Sequence, residues 1–176
     1  MNVKYKKSLK IVTLLISAII IATASATTYS YMFIHGSATI SSGILSWTLG
    51  SSAPSGAQLN GHTVDDMNFS VPQDTFQNFT DALRLVNSDS GNGYSFDLST
   101  DVTAGDTTKF STFNMVVYDS AGAPLDSLDV LTEEATSPSL TIAAGETLYI
   151  RFEIEPLTGE TSGYLAFTVQ LTYTIP

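Results

Sequence analysis

The side chains best suited to chemistry are scarce in this chain. His35 and His62 are the only imidazoles among 176 residues, and cysteine is absent. A serine triad needs one imidazole beside a serine and an aspartate, and no motif around any serine marks such a group. His35 precedes Gly36 and reads as a hinge or solvated turn residue. His62, Asp65 and Asp66 could ligate a metal from a loop, but solvation is the simpler reading of three polar residues in such a stretch. Glu133-Glu134 and the Glu153/Glu155 pair read as exposed charge, because a glycosidase needs two carboxylates set across a sugar cleft and no spacing here singles out a pair. Asp89, Asn92, Asp97, Asp101 and Asp106 gather oxygen ligands of the kind calcium takes, without EF-hand spacing, and a generic acidic surface accounts for them. The expectation is a protein that is not an enzyme and has no cofactor and no metal site. Two sequons, Asn68-Phe69-Ser70 and Asn78-Phe79-Thr80, are candidate N-glycosylation sites expected on surface loops.

The first residues address the chain outward. Lys4, Lys6, Lys7 and Lys10 form a basic region, Ile11 to Ala22 an apolar one, and Ala24-Ser25-Ala26 a small-residue cleavage site, the pattern of an export signal over residues 1–26 cut after Ala26. The apolar stretch is shorter than the roughly 20 residues that span a bilayer as a helix. The processed protein is therefore expected to be secreted and free of the membrane. The segment after the cut is at once apolar and extended: Tyr29, Tyr31 and Phe33 alternate in Thr27–Ile34 and share one face of a strand. An N-terminus that is itself an apolar strand needs a partner.

Charge narrows the partners. Four of the seven basic residues precede the cleavage site, so the remaining 150 residues hold Arg84, Lys109 and Arg151 against seventeen carboxylates, a net of −14. Such a surface repels nucleic acid and anionic lipid. A length of this size suits one domain with a sizeable core. Without cysteine, stability rests on packing, strand ladders and assembly.

Period-two alternation recurs along the chain and helical periodicity almost never does. Ser37–Ile40 leads through Ser41-Ser42-Gly43 to Ile44–Leu49, where Leu45, Trp47 and Leu49 share a face. Residues 50–61, rich in Ser, Gly and Pro, read as a loop. Strands are expected over 80–87 (Leu83, Leu85), 93–102 (Tyr94, Phe96, Leu98), 111–118 (Phe113, Met115, Val117), around Leu140 and Ile142, over 148–155, and over 163–175, with a short helix as an alternative within 74–85. Seven or eight short strands joined by such loops indicate an all-β, antiparallel, jelly-roll-like β-sandwich.

Ser41-Ser42-Gly43-Ile44-Leu45, Ala82-Leu83-Arg84-Leu85-Val86-Asn87 and Ile142-Ala143-Ala144-Gly145-Glu146-Thr147-Leu148-Tyr149-Ile150, together with the leader, resemble the TasA and camelysin group of biofilm fibre proteins. Archaeal bundling-pilus and thread subunits are similar in size and plan, and the absence of long charged insertions brings the chain nearer to them. The resemblance implies a jelly-roll subunit that gives its N-terminal strand to a groove in the next subunit, building a filament by donor-strand complementation. It implies identical subunits as partners, head to tail, with lateral bundling of filaments.

The sequence thus leads to three segments: a signal over 1–26, a donor strand over 27–36 that presents Tyr29, Tyr31 and Phe33 to the interface, and a β-sandwich body over 37–176. The function expected is a noncatalytic subunit of an extracellular pilus or biofilm-matrix filament. The alternative is a monomeric secreted binding module for carbohydrate or calcium. A type IV pilin would keep an apolar helix, from which the Ala-x-Ala site and the strand after it point away.

Overall fold

The computed structural model describes residues 31–40, 43–132 and 134–174. The leader, the cleavage site at Ala26 and Tyr29 lie outside them, as does the side chain of Tyr31. The described chain folds into strands β1 (Tyr31–Ile40), β2 (Leu45–Leu49), β3 (Gln58–Asn60), β4 (Thr63–Pro72), β5 (Gln77–Asn87), β6 (Tyr94–Gly105), β7 (Phe110–Tyr118), β8 (Pro124–Asp129), β9 (Ala135–Thr136), β10 (Leu140–Ile142), β11 (Thr147–Pro156) and β12 (Gly163–Thr174). The helical structure among the described residues is one short 3-10 turn at Thr107–Lys109, capped by Asp106.

Two sheets form the sandwich. The larger runs β10-β6-β12-β1-β4-β3, with β9 paired to β6 alongside β10, and the smaller runs β2-β5-β11-β7-β8. The alternating apolar positions explain why both sheets bury one face. Tyr94, Phe96 and Leu98 of β6, Leu165, Phe167, Val169 and Leu171 of β12, Phe113, Met115 and Val117 of β7, and Leu148, Ile150, Phe152 and Ile154 of β11 all point between the sheets and are nearly inaccessible. Each such side chain contributes roughly 1.5–3 kcal/mol on leaving water. At the centre Phe69 and Phe167 from the larger sheet meet Phe79, Phe113 and Phe152 from the smaller. The Phe69–Phe79 centroids lie 4.8 Å apart, Phe69–Phe152 5.0 Å and Phe113–Phe167 5.0 Å, all edge-to-face, the arrangement ring quadrupoles favour.

The strand expected over 80–87 is present and begins at Gln77, and the alternative helix within 74–85 does not form. The loop expected over 50–61 contains β3, which pairs with β4. β4 itself breaks strict alternation: between Gly36 and Ala38 of β1 it carries one residue too many, and Asp66 takes a left-handed φ of 56°. This bulge puts Val64 and Met67 on the same inner face although they are three residues apart.

Candidate functional site

The N-terminal strand lies in the middle of the larger sheet. β1 pairs with β12 in parallel from Met32↔Gly163 to Ile40↔Leu171, and with β4 in antiparallel from Tyr31↔Pro72 to Thr39↔Thr63. The β1–β12 pair is the one parallel pairing between the named strands, so the sheet departs here from the all-antiparallel expectation. Take β1 away and β12 and β4 become two facing edges, about 9.6 Å apart at the usual strand spacing, with a full row of unpaired amides and carbonyls on each. That slot fits one strand.

The inner face of β1 is Met32, Ile34, Gly36, Ala38 and Ile40, all buried. Gly36 stands opposite Phe167, and a β-carbon built on it would collide with the phenyl ring. The glycine therefore makes room for a central aromatic of the core, which is the packing use of glycine within a strand. The strand runs unbroken from Tyr31 to Ile40, so the expected boundary between residues 36 and 37 falls inside one strand.

The outer face carries Phe33, the described member of the aromatic set expected at the interface with the next subunit. Phe33 is 59% exposed and lies beside Tyr164 of β12, itself 49% exposed. In this chain's own sheet it is Met32 and Ile34, not Phe33, that enter the core. The reason lies further along: the set containing Phe33 continues into His35, Ser37 and Thr39, whereas the set containing Ile34 continues into Gly36, Ala38 and Ile40 and stays apolar or small to its end. Next on this face, His35 is a strand residue and not a turn residue. Its Nδ1 donates to Asn68 Oδ1 at 2.8 Å, while Asn68 Nδ2 donates to the Asp66 carbonyl at 3.0 Å and the Asp66 carboxylate stands 3.8 Å from His35 Nε2. These contacts tie β1 to the bulge of β4 from outside.

The sequon asparagines are exposed, but on strands and not on loops: Asn68 on β4 and Asn78 on β5. The other polar candidates do not converge. His62 is exposed in the turn between β3 and β4, Asp65 and Asp66 belong to the strand after it, and no group of three or more His, Asp or Glu among the described residues is arranged to hold a metal. Asp97 and Asp101 point outward from β6, and Asp106 caps the 3-10 turn through the Thr108 amide. Asp89 organises the turn before β6, accepting from Gly91 N, Asn92 N and Nδ2, and Tyr94 OH. Those donors, the Tyr94 hydroxyl first, hold its carboxyl well below the usual carboxylate range, and the Asp89 carboxylate that accepts from the Tyr94 phenol pushes that phenol up to about 12. Glu133 lies outside the described residues; Glu153 meets Arg151 at 3.4 Å, and Glu155 is exposed on β11.

One arrangement gave no signal in the sequence. Asn87 is buried at the end of β5, where its amide nitrogen donates to the Asn92 and Ala143 carbonyls, both at 2.8 Å, and its oxygen accepts from Asp89 N at 3.0 Å. It closes the turn that follows β5 and ties it to Ala143, 56 residues away, a contact only the fold brings about. Among known proteins, no family model matches the chain and no curated protein is significantly similar to it.

Proposed function

We propose that the chain is a structural subunit of an extracellular pilus or biofilm-matrix filament, in which the segment starting at Thr27 leaves its own slot and fills the same slot of the next subunit. The observation that carries this reading is the position of β1: it is the first strand among the described residues and is bound on both edges by β12 and β4, and in a chain cut after Ala26 only residues 41–44 would join it to the body. A strand so placed can be withdrawn without unthreading anything else, and its departure exposes a groove of its own shape. Strand addition of this kind joins pilin subunits, and a head-to-tail contact that does not close produces an open filament.

Energetics favour exchange over simple opening. Seating β1 buries Met32, Ile34, Ala38 and Ile40, a gross gain on the order of 10 kcal/mol with its ladder hydrogen bonds. A neighbour's β1 restores every one of these contacts, so the balance between closed monomer and filament rests on the association cost and on the connection 41–44.

The absence of cysteine makes a clean test. Ser37 and Thr168 are opposite each other in the β1–β12 register. One preparation carries only Ser37→Cys and another only Thr168→Cys; they are mixed, allowed to assemble and oxidised. Exchange between chains predicts a disulfide-linked dimer that joins one copy of each variant, while the double variant, oxidised as a monomer before assembly, stays monomeric. Fibres that form without the mixed disulfide, or that form from the locked double variant, refute the proposal. A chain that remains monomeric throughout favours the binding-module reading.

A further inference from the structure

The outer face of the smaller sheet carries a feature unrelated to the β1 slot. Tyr149 of β11 stands between Arg84 of β5 and Tyr118 of β7, opposite both in register. The Arg151 guanidinium lies 4.2 Å from the Tyr118 ring centroid, and that of Arg84 5.5 Å from the Tyr149 ring centroid. Two of the three basic residues after the leader thus flank two neighbouring tyrosines. Beside them opens a shallow cavity of about 220 Å³, lined by Thr80, Tyr118, Asp119, Ser120, Tyr149 and Arg151.

We infer that this cavity binds one ring of an uncharged saccharide. Its charges are paired: Arg84 with Asp81 at 2.6 Å and Arg151 with Glu153 at 3.4 Å, although Arg151 Nε is buried without a hydrogen-bond partner among the described residues, and Asp119 Oδ1 accepts from the Ala121 and Ala123 amides at 2.9 and 2.8 Å. No net cationic charge remains to draw an anion. The hydroxyls of Thr80, Tyr118, Ser120 and Tyr149, by contrast, make no hydrogen bonds among the described residues. A hydroxyl both donates and accepts, so four of them around two half-buried rings match the alternating donors and acceptors of a sugar, whose C–H faces suit the aromatic surface. The volume lies below the roughly 300–1,000 Å³ of pockets for larger ligands, which limits the occupant to a single ring and the affinity to the order of millimolar. Repeated along a polymer, or presented with several copies to a polysaccharide, such weak sites add through multivalency.

The test titrates the chain beginning at Thr27 with D-glucose, D-galactose, D-mannose, N-acetyl-D-glucosamine and D-glucuronate, followed by saturation-transfer and chemical-shift NMR. Saturable binding of at least one neutral sugar is expected, weakened tenfold or more by Tyr149→Ala and severalfold by Thr80→Ala. Tyr164→Ala, an exposed tyrosine on the other sheet, leaves it unchanged. Near-UV circular dichroism establishes that the variants are folded, and Thr80→Ala carries the test if Tyr149→Ala is not. Absence of saturation with every neutral sugar, binding of glucuronate alone, or binding indifferent to both cavity variants overturns the inference. Because the readout is monomer binding, failure here leaves the filament proposal standing, and failure of the mixed-disulfide experiment leaves this one standing.

Discussion

Ile34 is 1% exposed and its neighbour Phe33 is 59% exposed, so the same substitution at the two positions has opposite consequences. Ile34→Asp places an unpaired carboxylate between Phe-rich sheets, at a cost of several kcal/mol. Phe33→Asp changes a side chain already in water and is expected to cost about 1 kcal/mol or less. Urea denaturation of the two variants reads the difference directly. A Phe33→Asp protein destabilised as much as Ile34→Asp would mean that the aromatic face is the buried one. The two faces also separate fold from assembly, since loss of fibres in a normally stable Phe33→Asp protein would assign the Phe33 and Tyr164 surface to contacts between subunits.

At the scale of elements, the seating of β1 depends on the space Gly36 leaves for Phe167. Gly36→Val fills it, and overpacking of this kind costs roughly 1–3 kcal/mol. In the proposed exchange β1 leaves its slot while the body stays folded, so the strain would be relieved by releasing the strand rather than by repacking the five-phenylalanine core. Hydrogen exchange is the measurement: amides of β12 and β4 that face β1 should lose protection while those of β11 and β7 keep theirs. Uniform loss over both sheets would show that β1 is an inseparable part of the body, which would tell against withdrawal.

At the scale of the whole molecule, charge opposes association and supports the fold in different pH ranges. The chain carries seventeen carboxylates, and copies of it repel one another near neutrality. Asp81 is held well below the usual carboxylate range, first by the Arg84 guanidinium and also by the Ser51 amide and hydroxyl, and Asp89 is held low by its own turn. A depressed folded pKa contributes stability above the unfolded value of about 3.9, and that contribution is lost as pH falls below it toward the folded value. Between about pH 5 and 7 the fold therefore keeps these contributions while its net charge begins to fall as pH drops. Assembly followed by light scattering should accelerate from pH 7 to pH 5, and salt at pH 7 should mimic the effect by screening. Thermal stability should fall only below about pH 4, less steeply in Asp81→Asn. Assembly that slows on acidification, with the fold intact by circular dichroism, would exclude charge repulsion as the brake.

The strands most legible in the sequence were those with strict alternation: Tyr94-x-Phe96-x-Leu98, Phe113-x-Met115-x-Val117 and Leu165-x-Phe167-x-Val169-x-Leu171 each bury the residues the period names. That alternation, with no helical period and with turns rich in Gly, Ser and Pro between the strands, determined an all-β sandwich. It did not reveal β4, because a bulge at Asp66 offsets Val64 from Met67 and erases the period. Nor did the first strand show its buried face: divided at Gly36, its first half offers Tyr29, Tyr31 and Phe33 as the more apolar set, and only the complete run to Ile40 reverses that choice. Local periodicity is a property of a few adjacent residues. Which strand lies between which others is not, and tertiary packing alone put β1 between β12 and β4, brought Gly36 beneath the Phe167 ring, and assembled Thr80, Tyr118 and Tyr149 around one cavity.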